Sequence, residues 1–452
     1  MGAAVSEELL VTGLANRNGP AAPDNRVLVI GASTDYIAFI DRQYAGRIVF
    51  VTDPAERGRG HEVPPDQQSE LLVALEEPGT VLEQICCHLK RHNLQAIGIT
   101  CFDCESLHLT SLLADVLKLP YPSLTAVLTC RSKFLSKKRW QSAGIDCPAI
   151  RQIRCPEEAV QFMQQHGGRM MLKPLTGSGS ELIYLCTTVQ ETAAAFTEMT
   201  GQLAEKPATE RMYDPYKVDG TLVDPRREFI AEEYCEGEEY SCDFIIEADT
   251  VDIIRISRKW LKPDQAPGTV MAYQIPEYPM IDRPALREKL RIAALALGID
   301  RGLCMVDFLK AGDRFIILEL TPRPGGDCLP PLLRATYGLD ILGLALDVAQ
   351  GEPRLPKEPH SSHTVVGLRL FAPLPGGIIK TINTEKLGRD SRVMELKLVQ
   401  KPGGLVVHPP ASYHSRILGY ALFKPFSAAT AEQESRELMG TLTVTYCDEE
   451  TI

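Results

Sequence analysis

The segment Gly302-Leu-Cys-Met-Val-Asp307-Phe-Leu-Lys-Ala-Gly-Asp-Arg-Phe-Ile-Ile-Leu-Glu319-Leu-Thr-Pro-Arg323 places two carboxylates and an arginine on a predicted β-hairpin. Met305–Leu309 and Phe315–Leu320 are apolar, β-prone runs, and Ala311-Gly312-Asp313 between them is turn-forming. Asp307 and Glu319 each interrupt a run otherwise fit for burial. An isolated buried charge is too costly to keep, so each acid must be paired, bind a metal or face a wet cleft. With Lys310 facing Arg314 across a three-residue loop, Asp307 faces Ile317 and Glu319 faces Met305. The acids then project from one face as diagonal neighbours, roughly 7–8 Å apart. That spacing suits two carboxylates sharing Mg²⁺, with phosphate oxygens filling the rest of the shell. Taken alone, the same residues fit a surface hairpin with Arg323 ion-paired to Glu319 equally well.

Two further constellations could do chemistry. Met170-Met-Leu-Lys173-Pro-Leu-Thr176-Gly177-Ser178-Gly179-Ser180 sets a lysine at a strand end before a Gly/Ser loop. Glycines let backbone N–H groups approach phosphate oxygens, and the lysine adds charge. The lysine precedes the glycines, so this is not a Walker A loop, and by itself it also reads as a glycine-rich turn. Phe229-Ile-Ala-Glu232-Glu233-Tyr-Cys235-Glu-Gly237-Glu-Glu239 crowds acids around a strand–turn–strand with Gly237 at the turn. Such glutamates can accept from an adenine amino group or ribose hydroxyls, and a solvated acidic turn explains them too.

The elements that must position these groups follow from pattern. Asn25–Ser33 is a buried strand entering a small-residue turn, with further strands at Arg47–Thr52 and Ala96–Thr100 and a helix at Thr80–His92, which makes a parallel α/β layer. A basic helix is expected over Arg131–Gly144, then strands at Arg169–Lys173 and Glu181–Cys186, a helix over 187–204 and a polar loop over 205–227. Helices are expected at Pro284–Leu297 and Arg334–Ala349, a linker from Gly351 to Pro359, and a strand-rich remainder with a helix from Ala429. Arg258-Lys259 reads first as a surface basic pair and second as pocket lining.

At 452 residues the chain is long enough for about three domains. Hydrophobic residues at 44% and charged residues at 24% are those of a soluble globular protein. No apolar run approaches the ~20 residues needed to cross a bilayer, and the start lacks the pattern of a secretory signal. A net charge of −11 argues against a nucleic-acid surface, although nucleotide binding needs few basic groups. Thirteen scattered cysteines, including Cys101 and Cys104, lack the density of a disulfide scaffold, so a cytoplasmic protein with ordinary thiols is expected.

Taken together, the order and spacing of Lys173 with its loop, the Glu232–Glu239 turn and the Asp307/Glu319/Arg323 hairpin resemble the ATP-grasp superfamily. The resemblance is strongest to carboxylate–amine ligases of the biotin-carboxylase-like branch, the dipeptide-forming amino-acid ligases above all, which also carry a run like Pro409-Pro-Ala-Ser-Tyr-His-Ser-Arg416-Ile-Leu-Gly419-Tyr. It implies a mixed α/β and α+β architecture. A leader (1–24) would precede a Rossmann-like pre-ATP-grasp domain (25–128) and an ATP-grasp domain (129–350), with a lid at about 135–205 and a phosphate loop at 174–180. A strand-rich C-terminal domain (351–452) would follow.

The resemblance also implies roles. Lys133 and Lys173 would contact phosphates, and Thr176, Gly177, Ser178, Gly179 and Ser180 would close over them. Glu232 would lie near the adenine amino group, Glu233 and Cys235 would offer backbone contacts, and Glu239 would bind ribose. Asp307 and Glu319 would hold Mg²⁺ or Mn²⁺. Arg323 would steady the carboxylate or acyl-phosphate, with Gly325-Gly326-Asp327 beside it, while Arg416 would anchor the C-terminal domain. The family usually reads E-x-N-x-R where this chain has Glu319-Leu-Thr321-Pro-Arg323, so a threonine stands in for an asparagine metal ligand. The reaction implied is ATP-dependent activation of a carboxylate and its joining to an amine. Bicarbonate activation and a non-catalytic nucleotide sensor are the other readings. Small-molecule substrates and a homodimer are the expected partners, with no nucleic acid and no membrane.

Overall fold

The computed structural model describes residues 22–207, 210–218, 220–262, 265–352 and 363–447. Residues 1–21 of the expected leader and 353–359 of the expected linker lie outside the described residues. No helix among the described residues is long and apolar enough to cross a membrane.

The first layer is a four-stranded parallel sheet in the order Glu70–Leu72, Ile48–Thr52, Asp24–Ile30, Leu94–Thr100. Its strands are continuous apolar runs because both faces are covered. One face packs Leu28, Ile30 and Val49 against Val81, Ile85 and Leu113 of its own helices. The other sets Val27, Val29 and Phe50 against Leu342, Leu346 and Ala349 of a helix from the next domain. That helix comes so close that a Cβ at Gly98 would lie 2.4 Å from the Ala349 carbonyl oxygen.

A second, antiparallel sheet runs Ile150–Ile153, Phe229–Glu233, Met170–Pro174, Tyr184–Cys186, roofed by helices Pro156–Gln165 and Val189–Glu205. This sheet, called the lid below, groups Phe229–Glu233 with strands of the expected 135–205 span. The helix Lys133–Ser142 instead belongs to the body, where Trp140 is buried and its Nε1 donates to the Ala293 carbonyl at 3.0 Å.

The body is an eight-stranded antiparallel sheet in the order Arg314–Thr321, Arg301–Ala311, Glu238–Glu247, Thr250–Leu261, Val270–Ile275, Val365–Phe371, Ile417–Phe423, Val393–Leu398. The C-terminal part thus adds three strands to the same sheet and also builds a three-stranded sheet of its own from Leu405–Val406, Gly377–Asn383 and Thr443–Tyr446. Helix Arg283–Ala296 covers the sheet with Leu286, Leu290, Ala293 and Ala294, the spacing of one helical face.

Several expected elements differ for local reasons. The basic helix breaks at Ser132, whose extended backbone ends Leu124–Arg131 and whose Oγ accepts from Leu135 N at 3.3 Å to start the next helix. The helix expected from Arg334 to Ala349 is two helices, divided at left-handed Gly338. The 205–227 loop contains the paired strands Tyr216–Val218 and Thr221–Val223. Gly237 does not turn a hairpin: the strands on either side of it lie in different sheets, so Tyr234–Gly237 carries the chain from lid to body.

Candidate active site

The lid, the body and the C-terminal strands enclose a cavity of about 1080 Å³. Lys133, Lys137, Lys173, Glu232, Glu239, Lys259, Asp307, Glu319 and Arg323 all reach its wall.

At the lid end, Lys173 lies on the Met170–Pro174 strand and donates to Glu232. On its other side Glu232 meets Lys137 Nζ at 2.8 Å, and Lys137 also donates to the Leu318 carbonyl at 2.9 Å. Burial alone would raise the Glu232 pKa, but Lys137 and Lys173 together hold it down at about 2. Burial pushes the Lys137 ammonium down and Glu232 opposes that. Lys133, one helical turn before Lys137, donates to the Gly177 carbonyl at 3.2 Å. Two ammonium groups thus share the buried Glu232 carboxylate and a third, Lys133, stands beside them, which leaves positive charge to face an anion.

The loop after Lys173 is shaped by backbone that favours glycine: Gly177 has φ +139° and Gly179 +66°, and Ser180 itself sits at +62°. Gly177, Ser178, Gly179 and Ser180 line the cavity. Thr176 does not; its hydroxyl is buried and donates to the Met212 carbonyl at 2.8 Å. Ser180 Oγ donates to the Gly268 carbonyl at 2.8 Å, so the loop is docked on the segment across the cleft. Glu233 ends the lid strand and accepts from Ala149 N at 3.1 Å, and Cys235 lies on the lid-to-body crossing; both line the cavity.

At the body end Asp307 stands directly opposite Glu319, not diagonal to it. The hairpin turns at Gly312-Asp313 between paired Ala311 and Arg314, and one extra residue, Leu318, bulges before Glu319 and shifts the register. Lys259 Nζ is 2.8 Å from Asp307 and 2.7 Å from Glu239. Lys259 is buried, so it is not the surface residue expected from the sequence, whereas Arg258 on the other face pairs with Glu238. The remaining Asp307 oxygen, Oδ1, is buried without a hydrogen-bond partner among the described residues. An orphaned carboxylate oxygen beside a second, 30% exposed carboxylate suits a hard divalent cation that draws its other ligands from phosphate and water. Among the described residues no group of three or more His, Cys, Asp or Glu converges to hold a metal unaided.

Thr321 pairs with Met305 and is buried in a small hollow beside Cys104, Arg131 and Glu319, behind the main cavity wall. Arg323 lines the cavity, donates to the Pro324 carbonyl at 2.8 Å and sets Nε 3.0 Å from Cys104 Sγ. Beneath its loop, Asp243 and Arg255 form a wholly buried ion pair at 2.5 Å, and Asp243 Oδ1 accepts from Gly325 N at 2.9 Å. Arg416 is buried and donates to Gln265 and Thr269, tying the C-terminal segment to the loop that meets Ser180.

Sequence reasoning passed over Lys137, Asp243 and Arg255. A signal existed for Lys137, four residues after Lys133 on one helix face. Asp243 and Arg255 are single charges in apolar strands, the same mark that drew attention to Asp307.

Residues 168–331 match the ATP-grasp domain family, and the fold is that of ATP-grasp enzymes. Its fold is similar to that of the L-amino acid ligase of Bacillus licheniformis, with a TM-score of 0.72 and 17% identity over 94% of this chain and 100% of the other. In sequence it is 24% identical over 249 residues to the D-alanine--D-alanine ligase of Acidovorax ebreus, covering 52% of this chain and 67% of that one. It is 23% identical over 317 residues to the uncharacterized protein y4rH of Sinorhizobium fredii, 70% of this chain, and the match spans only 61% of that relative's length.

Proposed function

We propose that the protein is an ATP-dependent ligase that activates a small-molecule carboxylate, an amino acid by its resemblance, as an acyl-phosphate and joins it to an amine. The observation that carries this reading is the meeting of Lys133 and Glu319 at 3.8 Å. There the cationic end and the acidic end of one cavity meet, so the phosphates of a nucleotide and a cation on Asp307 and Glu319 have adjoining places.

In this reading Lys133, Lys137 and Lys173 bind and orient phosphate oxygens, and Gly177–Ser180 offers backbone N–H groups to them. Glu239 and the Glu233–Cys235 crossing hold the nucleoside. Mg²⁺ or Mn²⁺ on Asp307 and Glu319 would neutralise phosphate charge when bound. Arg323 places a carboxylate oxygen for attack on the γ-phosphorus; the bond from phosphorus to the bridging oxygen breaks and ADP leaves. The amine nitrogen then attacks the acyl carbon, the carbon–phosphate oxygen bond breaks, and the amine gives up a proton as phosphate departs. Positioning and charge neutralisation supply most of the acceleration in such chemistry. Thr321 shapes the wall behind Glu319. Thirteen thiols without a disulfide fit a reducing cytoplasm.

ADP release measured with a panel of carboxylates and amines tests the proposal. ADP formation that requires both substrates is expected, and it is lost in Glu319→Gln. Tight ATP binding with no ADP formation dependent on carboxylate and amine would sink it.

A further inference from the structure

Behind the Gly/Ser loop lies a group of side chains that the reaction above does not use. The single 3₁₀ turn Arg211–Tyr213, in the polar stretch before the Tyr216–Val218 strand, touches the loop at both ends. At the near end its Met212 carbonyl accepts from the buried Thr176 hydroxyl at 2.8 Å. At the far end the Tyr213 hydroxyl donates to Glu181 Oε2 at 2.7 Å, and between the two it lies 3.6 Å from where a Gly177 Cβ would sit. The other oxygen of Glu181 meets Lys206 Nζ at 2.6 Å, and that ammonium also reaches Glu210 at 3.0 Å. Arg131, two residues before Lys133, donates from Nη2 to the carbonyls of Arg211 and Met212 at 3.2 and 3.0 Å. The loop and the start of the helix that carries Lys133 therefore hang on the same turn.

We propose, on the ligase reading above, that the Arg211–Tyr213 turn and Lys206 form a strap that sets the shape of the phosphate loop from behind, with Tyr213 and Glu181 as positioning residues for the terminal phosphates of the nucleotide. A loop made of Gly177-Ser-Gly-Ser180 has no large side chain to anchor it and much backbone freedom to lose, so its shape must be imposed by contacts at its ends. Fixing it before the nucleotide arrives lowers the cost of binding. Charge gives the strap a second task. Glu181 lines the cavity one residue after Ser180, where a free carboxylate would repel phosphate. Tyr213 and Lys206 occupy both of its oxygens and turn the charge away. Burial, and then Glu181 itself, push the Tyr213 hydroxyl up, so it stays protonated and donating.

Calorimetric titration of the full-length protein with adenosine, ADP and ATP, each with Mg²⁺, tests the strap. Tyr213→Phe is expected to weaken ADP and ATP about tenfold and to leave adenosine unchanged, since the strap touches neither Glu239 nor the crossing at Cys235. Lys206→Met should weaken ATP by a similar factor, because Glu181 is then left uncompensated toward the phosphates. Adding Glu181→Gln to Lys206→Met keeps an acceptor for Tyr213, removes the charge and should restore most of the loss. A residue that only supports the fold would not spare adenosine and would not be rescued by removing a charge. Equal weakening of adenosine and ATP overturns the strap, as does ATP binding unchanged in both single variants, or no recovery in the double one. Should the buried Tyr213→Phe fail to fold, Lys206→Met and its rescue decide alone. Phosphate-dependent losses in a protein that releases no ADP with carboxylate and amine keep the strap and remove the ligase reading. ADP release that needs both substrates, with ATP binding indifferent to Tyr213 and Lys206, does the reverse.

Discussion

Lys259 sits between Asp307 and Glu239, its Nζ 2.8 Å from one and 2.7 Å from the other. Burial alone would lower its pKa, but Asp307 and then Glu239 override that and raise it. A raised lysine pKa contributes stability that is complete below the ordinary lysine value and is lost only at higher pH, so the bridge is intact through neutral pH. Replacing Lys259 by Met leaves two acids facing each other in a mostly buried place, at a cost of about 3 kcal/mol. Denaturant unfolding should show that loss. Added Mg²⁺ should raise the melting temperature of Lys259→Met more than that of the wild type, because a cation on Asp307 restores the missing charge. An equal shift in both proteins would place the cation elsewhere.

Glu232 gives the lid end an acid-sensitive clasp. Its pKa is about 2 in the folded chain against an ordinary 4.5, a depression imposed by Lys137 and Lys173 against the opposing effect of burial. A depressed carboxylate contributes stability that is present above about pH 4.5 and lost as pH falls through about 2. The shift corresponds to about 3 kcal/mol. Glu232→Gln should therefore be destabilised at neutral pH, with the gap to wild type narrowing by about that amount on acidification through this window. A gap that stays constant from neutral pH to pH 2 would mean that the two lysines do not depend on the ionised acid.

What the sequence made legible was chemistry carried by residue type against local pattern. Asp307 and Glu319 stood out as acids in apolar strands, Lys173 as a lysine before glycines, and all reach one cavity. Their register was not legible, because the Leu318 bulge is set by contacts from elsewhere: its carbonyl accepts from Lys137 and the neighbouring Ile317 N–H donates to Asp146. Gly237 misled for a related reason, since a turn residue looks the same whether its strands pair or part into two sheets. Lys259 was hidden because Arg258 beside it does face outward, and alternation along a strand sends adjacent charges to opposite faces. Nothing local announces that the Val365–Phe371 strand joins Val270–Ile275 across almost a hundred residues, and that pairing is what brings Arg369 to the cavity.

Ser180 tests whether the docked loop protects an intermediate from water. Its hydroxyl donates to the Gly268 carbonyl at 2.8 Å, and Gly179 lies close to His414, so a small hydroxyl closes the lid side of the cleft against the body side. Ser180→Ala removes one hydrogen bond, worth about 1 kcal/mol of closure. ATP should still bind and ADP should still form, but a larger share of ADP should appear without ligated product, as water reaches the acyl-phosphate. The ratio of ADP to product, measured under saturating substrates, reads this directly. An unchanged ratio would show that closure does not depend on this contact.

Asp243 and Arg255 are both wholly buried, with Arg255 also donating to Ser241 and Ser257, so the pair is satisfied on every side that the two strands offer. Outside those strands the Asp243 carboxylate reaches Gly325 N, between Arg323 and Asp327. A Cβ at Gly325 would lie 2.6 Å from Arg255 Nη2 and 2.8 Å from Leu329 Cδ1, so the loop rests directly on the pair. A buried ion pair is weak evidence for stability, but breaking one is costly. Asp243→Asn keeps the shape and can still accept from Gly325, yet leaves Arg255 uncompensated, so a loss of about 3 kcal/mol in unfolding free energy is expected. Gly325→Ala leaves both charges in place and moves only the loop. It should fold with a smaller loss but raise KM for the carboxylate while leaving KM for ATP near the wild-type value, because the nucleotide contacts lie on the lid and on Glu239. If Gly325→Ala instead changed both KM values together, the pair would be a support of the whole sheet and not of the loop that carries Arg323.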